Sequence, residues 1–263
     1  MLLLMMSTLS WAYFEVDGIN YNINEDGESV EVTSYYGSYS GDIVIPSTVT
    51  YDNKTYSVTS IGNDAFYWCT SLTSISIPEG VTSIGTHAFS GCSSLTSISI
   101  PEGVTSIGGY AFSGCSSLTS ISIPEGVTSI GNLTFAYCSS LTSISIPESV
   151  TSIGDWAFGW CSALTSIICY SEKVPKLESD VFYDVPTSEA TLYVPASALR
   201  RYKVTNQWKD FGTILSLEDI PAGISNIKAD ETNAPYYTLD GKRVDNPTQK
   251  GIYIRNGKKI LIK

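Results

Sequence analysis

Apolar positions in the middle of this chain recur with a fixed spacing of 23 residues. The order of apolar and polar residues within each unit is nearly constant, and a typical unit is LTSISIPEGVTSIGxxAFxxCSS. An internal period in this range is typical of a solenoid, in which each unit forms one coil that buries its apolar side against its neighbours. The landmark residues of the repeat are Phe66, Phe89, Phe112, Phe135 and Phe158; Cys69, Cys92, Cys115, Cys138 and Cys161; and Leu72, Leu95, Leu118, Leu141 and Leu164.

The first half of each unit predicts a β-strand that is buried on one face. Ile75 and Ile77 alternate with serines, so the isoleucines are expected to face inward and the serines outward. Pro78 has no N–H to donate to a ladder and therefore ends the strand. Val81 and Ile84 predict a second, shorter segment that also faces inward. The Ala-Phe-x-x-Cys sequence is then left to fill the opposite corner of each coil.

The chain outside the regular repeats divides into further segments. The next repeat landmark after residues 43–46 arrives nine residues late, which predicts a small hairpin around residues 51–56 in the first coil. A short helix is expected at 196–211, where it would cover the last coil. The predicted organisation is a β-meander cap at 13–45, a solenoid at 46–169, a C-terminal cap at 170–220 and a small β-rich module at 221–263.

The first 12 residues are apolar and end with the small residues Ser10 and Ala12, which suit signal-peptide cleavage before Tyr13. The basic residues that usually precede such a run are missing, as they would be in a truncated signal peptide. The alternative is a buried N-terminal strand. The run is too short to span a bilayer as a helix, and no other stretch is long and apolar enough. We therefore expect an exported protein, secreted or at the cell surface on the exterior of the outer membrane.

Charge is unevenly distributed along the chain. Residues 1–220 carry 7 Lys/Arg against 22 Asp/Glu, whereas residues 221–263 carry 8 against 4. No Lys or Arg lies between Lys54 and Lys173. Nucleic-acid binding needs basic side chains clustered on one face, so a nucleic-acid partner is not expected.

The cysteines are not expected to form disulfides. Five of the six occupy equivalent places in successive coils, where their side chains point the same way rather than towards each other. We interpret them as small buried hydrophobic residues with a weak S–H donor. Cys169 lies outside this series and is expected to be free.

The repeat unit closely resembles the BspA-like leucine-rich repeat family of bacterial surface proteins. This resemblance implies a mainly β, leucine-rich repeat solenoid with a role in attachment, and partners of the family include host matrix proteins such as fibronectin and fibrinogen. It implies no shared catalytic apparatus and identifies no individual ligand contacts. The tail YTLDGKRVDNPTQKGIYIRNGKKILIK is similar to C-terminal modules of exported proteins, some of which act as secretion or sorting signals of the type IX kind. The alternative is a small β-module that only closes the chain.

Two pairs of positions in each unit vary while the scaffold stays constant, and both pairs flank the Ala-Phe dipeptide. Equivalent positions of stacked coils form columns, and exposed aromatic residues on a rigid scaffold resemble binding hot spots. Such rings also suit stacking on sugars, although they could instead pack over neighbouring loops or caps. The candidate ligand-binding residues are Trp68, Tyr137 and Trp160 in one column and Tyr110 and Trp156 in the other.

Two other surface features are candidate binding sites. The outward serines of the main sheet, such as Ser74 and Ser76, could bind polar partners but are more simply solvated. The repeated glutamates Glu79, Glu102, Glu125 and Glu148 could bridge Ca²⁺, but no calcium-loop pattern accompanies them. No metal or other cofactor is therefore expected.

Catalysis is not expected from this sequence. His87 is the only histidine and occupies a variable, solvent-side position, and no zinc-protease, hydrolase, phosphate-loop or dinucleotide motif is present. We therefore expect a non-catalytic, monomeric adhesin-like protein that recognises a host protein or glycan. The alternative is a structural scaffold of the cell envelope that self-associates through its repeat face.

Overall fold

The computed structural model describes residues 13–34 and 39–220, together with short strands in the region 236–262. The predicted signal peptide at 1–12 lies outside the described residues. The strands of the main body are β1 (Tyr13–Val16), β2 (Ile19–Ile23), β3 (Ser29–Thr33), β4 (Gly41–Val44), β5 (Thr48–Tyr51), β6 (Lys54–Ile61), β7 (Leu72–Ser76), β8 (Ser83–Ile84), β9 (Ser106–Ile107), β10 (Ser120–Ser122), β11 (Ser129–Ile130), β12 (Ser143–Ile146), β13 (Ser152–Ile153), β14 (Ser166–Cys169), β15 (Lys176–Leu177), β16 (Thr191–Val194) and β17 (Thr213–Ser216).

Parallel strands run along two sides of the stacked coils. The main sheet has the order β10-β12-β14-β16-β17. The strand pair β4-β7 lies before it and is linked to it by two isolated parallel bridges, Ser76 with Ser99 and Ser97 with Ser120. The second side contains β3-β6-β8-β9 and β11-β13-β15. The register advances by one repeat unit per coil, as in the pairs Ile121–Ile144 and Ile84–Ile107. The predicted mainly β solenoid is confirmed.

The third corner of each coil is filled by a phenylalanine. These rings stack on one another along the axis, with centroids 5.1–5.6 Å apart and interplanar angles of 3–6°. Tyr39 covers the N-terminal end of this series at 4.8 Å, and Phe182 continues it at the C-terminal end. We call it the phenylalanine column; its members, all fully buried, are Phe66, Phe89, Phe112, Phe135 and Phe158.

The cysteines support this column. The Sγ–H of Cys92 donates to the carbonyl oxygen of Phe66 at 3.1 Å, and the same bond recurs from coil to coil at 3.1–3.2 Å. Burial raises the pKa of Cys115 and of Cys161 to about 12. All six cysteines are free and buried, so the expectation of small hydrophobic residues with a weak donor is confirmed.

The N-terminal cap and the first coil interlock. Strands β1, β2 and β3 form an antiparallel meander, and β3 then pairs in parallel with β6. The predicted hairpin is present as the antiparallel pair β5-β6. It accounts for the pairing of Ile43 with Ile75, which are 32 residues apart rather than 23. The cap covers the strand edge that the first coil would otherwise expose.

Coil stacking continues beyond residue 169. Strand β15 pairs with β13 and β16 pairs with β14, so the region 170–190, placed in the C-terminal cap by the sequence, forms a further coil. The helix expected at 196–211 is wrong in extent, because it consists of α1 (Leu199–Tyr202) and a separate 3-10 helix at Trp208–Asp210. A second 3-10 helix lies at Leu217–Asp219.

Gln207 explains the break between the two helical pieces. Its φ of +62° is incompatible with continued helix, and its side chain leaves the cap to contact the preceding coil. Its Oε1 accepts the N–H of Val181 at 2.8 Å and its Nε2 donates to the carbonyl of Glu178 at 2.6 Å. The aromatic side chains of the cap, Tyr202, Trp208 and Phe211, are nevertheless buried.

The C-terminal module is a four-stranded antiparallel sheet of order β19-β18-β20-β21. The dipeptides Asp240-Gly241 and Asn256-Gly257 predict hairpin turns in this module. Both dipeptides lie outside the described residues. The strands are β18 (Tyr236–Tyr237), β19 (Arg243–Val244), β20 (Gly251–Arg255) and β21 (Lys258–Ile262).

Candidate ligand-binding edge

The turns on either side of each buried phenylalanine set the geometry of this edge. In one coil, the N–H of Ser90 donates to the carbonyl of His87 at 3.0 Å, and the N–H of Cys92 donates to that of Phe89 at 3.1 Å. Two residues in these consecutive turns adopt left-handed backbone conformation, His87 with φ +55° and Gly91 with φ +78°. The same two positions are left-handed in every coil from residue 64 to residue 184.

All five candidate aromatic residues occupy these left-handed positions. Their φ angles are +56° for Trp68, +59° for Tyr110, +61° for Tyr137, +49° for Trp156 and +59° for Trp160. A residue with a Cβ pays about 1–2 kcal/mol in this region, whereas glycine does not. The backbone therefore favours glycine at positions where this chain carries its largest side chains.

We call the second of these positions, just before each cysteine, the outer column: Trp68, Gly91, Gly114, Tyr137 and Trp160. Its backbone is held by bonds between coils. The N–H of Trp68 donates to Ser90 at 2.7 Å, and the N–H of Tyr137 donates to Gly159 at 2.8 Å. The aromatic side chains of this column therefore project from a base that is fixed by the solenoid.

The aromatic members of the outer column form two separate groups. Tyr137 and Trp160 stack face to face, with centroids 4.4 Å apart and an interplanar angle of 6°, and Tyr183 extends this group at 5.1 Å from Trp160. Trp68 lies at the other end, with 62% of its surface exposed. Its indole leans over Gly91, because a Cβ at Gly91 would lie 3.2 Å from the indole carbons.

A cavity of about 290 Å³ lies between these two groups. Trp68 and Tyr137 line it at its two ends, and Gly91 and Gly114 lie between them. We call this cavity the slot. Its other described lining residues are small and hydroxylated: Thr70, Ser90, Ser93 and Ser113.

The remaining candidates do not join the slot. Tyr110 packs against His87 at 4.7 Å, and His87 lies 6.0 Å from Tyr67. The Nδ1 of His87 is 3.5 Å from Oδ1 of Asp64, and both side chains are partly exposed. Trp156 is exposed and makes no ring contact with the other residues described. The structure therefore places Trp68 and Tyr137 around the slot and stacks Trp160 on Tyr137, whereas Tyr110 and Trp156 lie outside it.

Sequence reasoning missed several residues of this edge. Tyr183 is exposed and belongs to the Trp160 group, and aligning residues 181–184 with the Ala-Phe-x-x segment would have found it. Gly91 and Gly114 occupy one of the variable positions, where nothing in the sequence singles them out. Their importance comes from the space that they leave between Trp68 and Tyr137.

Comparison with known proteins decides the family. Residues 59–189 match the description "BspA type Leucine rich repeat region" in six copies. The repeat region belongs to the BspA-type leucine-rich repeat family. No curated protein matches the chain.

Two solved structures are similar to this BspA-type protein. A leucine-rich cell surface protein from Faecalibacterium prausnitzii A2-165 is 27% identical with a TM-score of 0.59; the match covers 88% of this chain and 60% of that one. The T. pallidum leucine-rich repeat protein is 25% identical with a TM-score of 0.54, and the match covers 81% and 92% of the two chains. This chain thus spans less than two thirds of the first protein. It is a leucine-rich repeat protein of the bacterial surface-protein type.

One variable position of the BspA-type coil is structural. Asn63 Oδ1 accepts the N–H of Thr86 in the next coil at 2.8 Å, and Asn132 Oδ1 accepts the N–H of Asp155 at 3.0 Å. Asp155 Oδ1 does the same for Ser179 at 2.8 Å. In these three coils the side chain at this variable position therefore bonds to the next coil.

The other surface features of the BspA-type coils offer less for binding. Within the described part of the chain, no group of three or more His, Cys, Asp or Glu side chains could hold a metal ion. Several outward threonines are used between coils, as in the bonds from Oγ1 of Thr142 and Thr165 to threonine carbonyls of the preceding coil, at 3.4 and 3.2 Å. Among the described helices, none has the length and apolar character needed to cross a membrane.

Proposed function

We propose that this BspA-type protein is a non-catalytic binding protein, secreted or held at the cell surface, that captures a host protein or glycan through the edge carrying the outer column. The observation that carries the proposal is the exposure of Trp68 and Tyr137 at backbone positions that favour glycine. Strained residues concentrate at functional sites, because the strain persists only where something else is gained.

The chemistry of the edge supports capture of a ligand rather than catalysis. Tryptophan and tyrosine dominate binding hot spots because they bury a large area at little cost in side-chain entropy. Burial keeps the thiols protonated, with the pKa of Cys115 raised to about 12, so none of the most buried cysteines offers a thiolate at neutral pH. The absence of Lys and Arg from 55 to 172 disfavours nucleic acid as the ligand.

The proposal is tested by capture on immobilised ligands. The 263-residue chain is applied to a panel of matrix proteins, including fibronectin and fibrinogen, and to a glycan panel. We expect binding to at least one member, and a loss of about tenfold or more in a variant combining Trp68→Ala, Tyr137→Ala and Trp160→Ala. Val204→Ala, which alters an exposed apolar residue outside the edge, is the matched control and should bind like the parent.

Two results would overturn this proposal. One is unchanged capture by the triple variant when circular dichroism shows that it is folded. The other is loss of capture on Ser99→Lys alone, which would move the contact surface to the main sheet. Light scattering over a range of concentrations separates the scaffold alternative, since a constant monomer mass supports a binding protein and ordered oligomers support a scaffold.

A further inference from the structure

The geometry points to the slot as a subsite for one sugar ring of a neutral glycan chain. The ring would lie over Gly114 and stack against Tyr137, while Trp68 closes the other end. This inference rests on the proposed function and specifies the ligand class of the same edge. It depends on three properties of the slot: the orientation of its walls, its length and the chemistry of its lining.

The two aromatic walls are positioned independently of each other. One face of Tyr137 is covered by Trp160 in the next coil, so the free face of Tyr137 is on the side of Gly114. Trp68 leans over Gly91 from the opposite end. Gly114 has no neighbour closer than 3.6 Å to the position of a Cβ, so the space above it is not filled by another side chain. The open part of the slot therefore lies between two aromatic side chains and above a glycine.

The length of the open part admits one inserted ring but not two. Coils rise by about 4.8 Å, as paired strands do, so two coil steps separate Gly91 from Tyr137 by about 10 Å. A ring held between two others at optimal contact needs about 7–8 Å in total. The volume of about 290 Å³ is at the small end of ligand sites and suits one or two sugar units, with the rest of a chain extending into solvent.

The lining favours a neutral sugar over other ligands. A pyranose ring has apolar C–H faces, which contact aromatic faces, and a rim of hydroxyl groups, which need small hydrogen-bonding partners. The slot provides both, with its two aromatic walls and the side chains of Ser90, Ser93 and Ser113. An anionic sugar would find no lysine or arginine among the coils of the slot, because none exists between Lys54 and Lys173.

A protein ligand fits the slot less well. Protein hot spots are apolar or aromatic anchors inserted into well-packed, desolvated pockets. Among the described residues that line the slot, none is aliphatic, and its glycine floor offers little surface for an inserted side chain. The observations therefore favour the glycan over the protein within the proposed function.

The test measures affinity for defined glycans by titration calorimetry on the 263-residue chain. The probes are the neutral polymers laminarin, mannan, xyloglucan and soluble amylose, and the anionic polymers heparin and polygalacturonate. We expect binding to at least one neutral polymer and none to the anionic ones. Tyr137→Gly, which introduces the residue found in the two preceding coils, should weaken that binding by about tenfold or more.

A second variant fills the slot without removing a wall. Gly114→Tyr places at residue 114 the side chain that the next coil carries at the same backbone position, so the fold has a precedent for it. This variant should abolish glycan binding. Leu133→Gly is the matched control, since Leu133 is also left-handed, with φ +51°, but does not line the slot, and it should bind within about twofold of the parent.

Different binding results would overturn the glycan subsite and the proposed function. Capture of a matrix protein with no binding to any neutral polymer would overturn the glycan assignment alone. Binding to the anionic polymers in preference to the neutral ones would overturn it too. Equal glycan affinity of parent, Tyr137→Gly and Gly114→Tyr would show that the slot is not the subsite. No capture of any protein or glycan would overturn both proposals.

Discussion

Two columns of aromatic side chains run along this solenoid, and they differ in burial, in residue identity and in backbone conformation. The phenylalanine column is continuous, fully buried and identical from coil to coil. The outer column is a few residues away in each coil, yet it is at least partly exposed, varies between aromatic residues and glycine, and has left-handed backbone throughout. The comparison teaches that residues required by the fold recur in every coil. Departures from the repeat at a glycine-favouring position therefore mark side chains with another role.

Alkaline pH should destabilise the interior more than any single substitution. Burial holds the pKa of Cys115 and Cys161 at about 12, against 9.0 for an unperturbed thiol. Above pH 9 the unfolded chain loses these protons while the folded chain keeps them, so stability is full below pH 9 and falls as pH rises towards 12. Each thiol contributes about 1.4 kcal/mol per pH unit.

Several such thiols together approach the whole stability of a typical domain, about 5–15 kcal/mol. Circular dichroism at increasing pH should therefore show unfolding between pH 9 and 12. A variant with Cys115→Ala and Cys161→Ala should lose stability less steeply with pH. An unchanged slope in that variant would contradict the assigned protonation.

Removing one ring from the phenylalanine column should have the largest effect among single substitutions. Phe112→Ala leaves a cavity at the centre of the stack, and we expect a loss of about 3–5 kcal/mol in the free energy of unfolding. Because each coil contacts only its neighbours, the transition should also broaden as the two halves separate. Tyr110→Ala, two residues away on the exposed side, should cost less than about 1 kcal/mol. Equal losses in urea denaturation would remove the distinction between the columns.

Adding a Cβ to the outer column tests its backbone requirement. Gly114→Ala puts a methyl group at φ +74° without a close contact, since the nearest atom is 3.6 Å away. We expect a loss of about 1–2 kcal/mol from the left-handed conformation alone. Ser113→Ala is the control, because it changes the adjacent residue, which is not left-handed, and it should be nearly neutral. A gain in stability for Gly114→Ala would show that glycine is not favoured there.

The bonds between coils at the neighbouring variable position should contribute least. Asn132→Ala leaves the N–H of Asp155 without its acceptor, and we expect a loss of about 1 kcal/mol in denaturant unfolding. Asn132→Asp keeps an acceptor oxygen, as Asp155 does naturally for Ser179. The aspartate variant should therefore retain most of the stability, and equal losses in both variants would contradict the role of this bond.

The repeating interior was predictable from sequence because its constraint acts equally on every coil. One fixed spacing places Phe66 and Phe89 on a common axis, and the same spacing gives the cysteines equivalent surroundings. Even the nine-residue delay in the first coil was enough to predict the hairpin β5-β6. These features depend on periodicity and not on the details of any one contact.

The slot and the shape of the C-terminal cap could not be predicted from sequence, because each depends on the conformation of one or two individual residues. The sequence contains both Trp68 and Gly91, but that the indole leans over the glycine depends on side-chain rotamers. The left-handed backbone of Tyr137 is likewise hidden, because tyrosine does not favour it. At the C-terminal cap, Gln207 breaks a helix whose apolar spacing looked continuous, since its side chain bonds to the preceding coil instead.

The central claim is that the outer column serves binding and is not needed for folding. The most direct test is the free energy of unfolding of a variant in which Trp68, Tyr137 and Trp160 are all replaced by glycine, the residue present at this position in the two coils between Trp68 and Tyr137. Relief of backbone strain should offset the lost contacts, so we predict a stability within about 1 kcal/mol of the parent. A loss as large as that of Phe112→Ala would show that these rings clamp the coils together, and it would contradict the account.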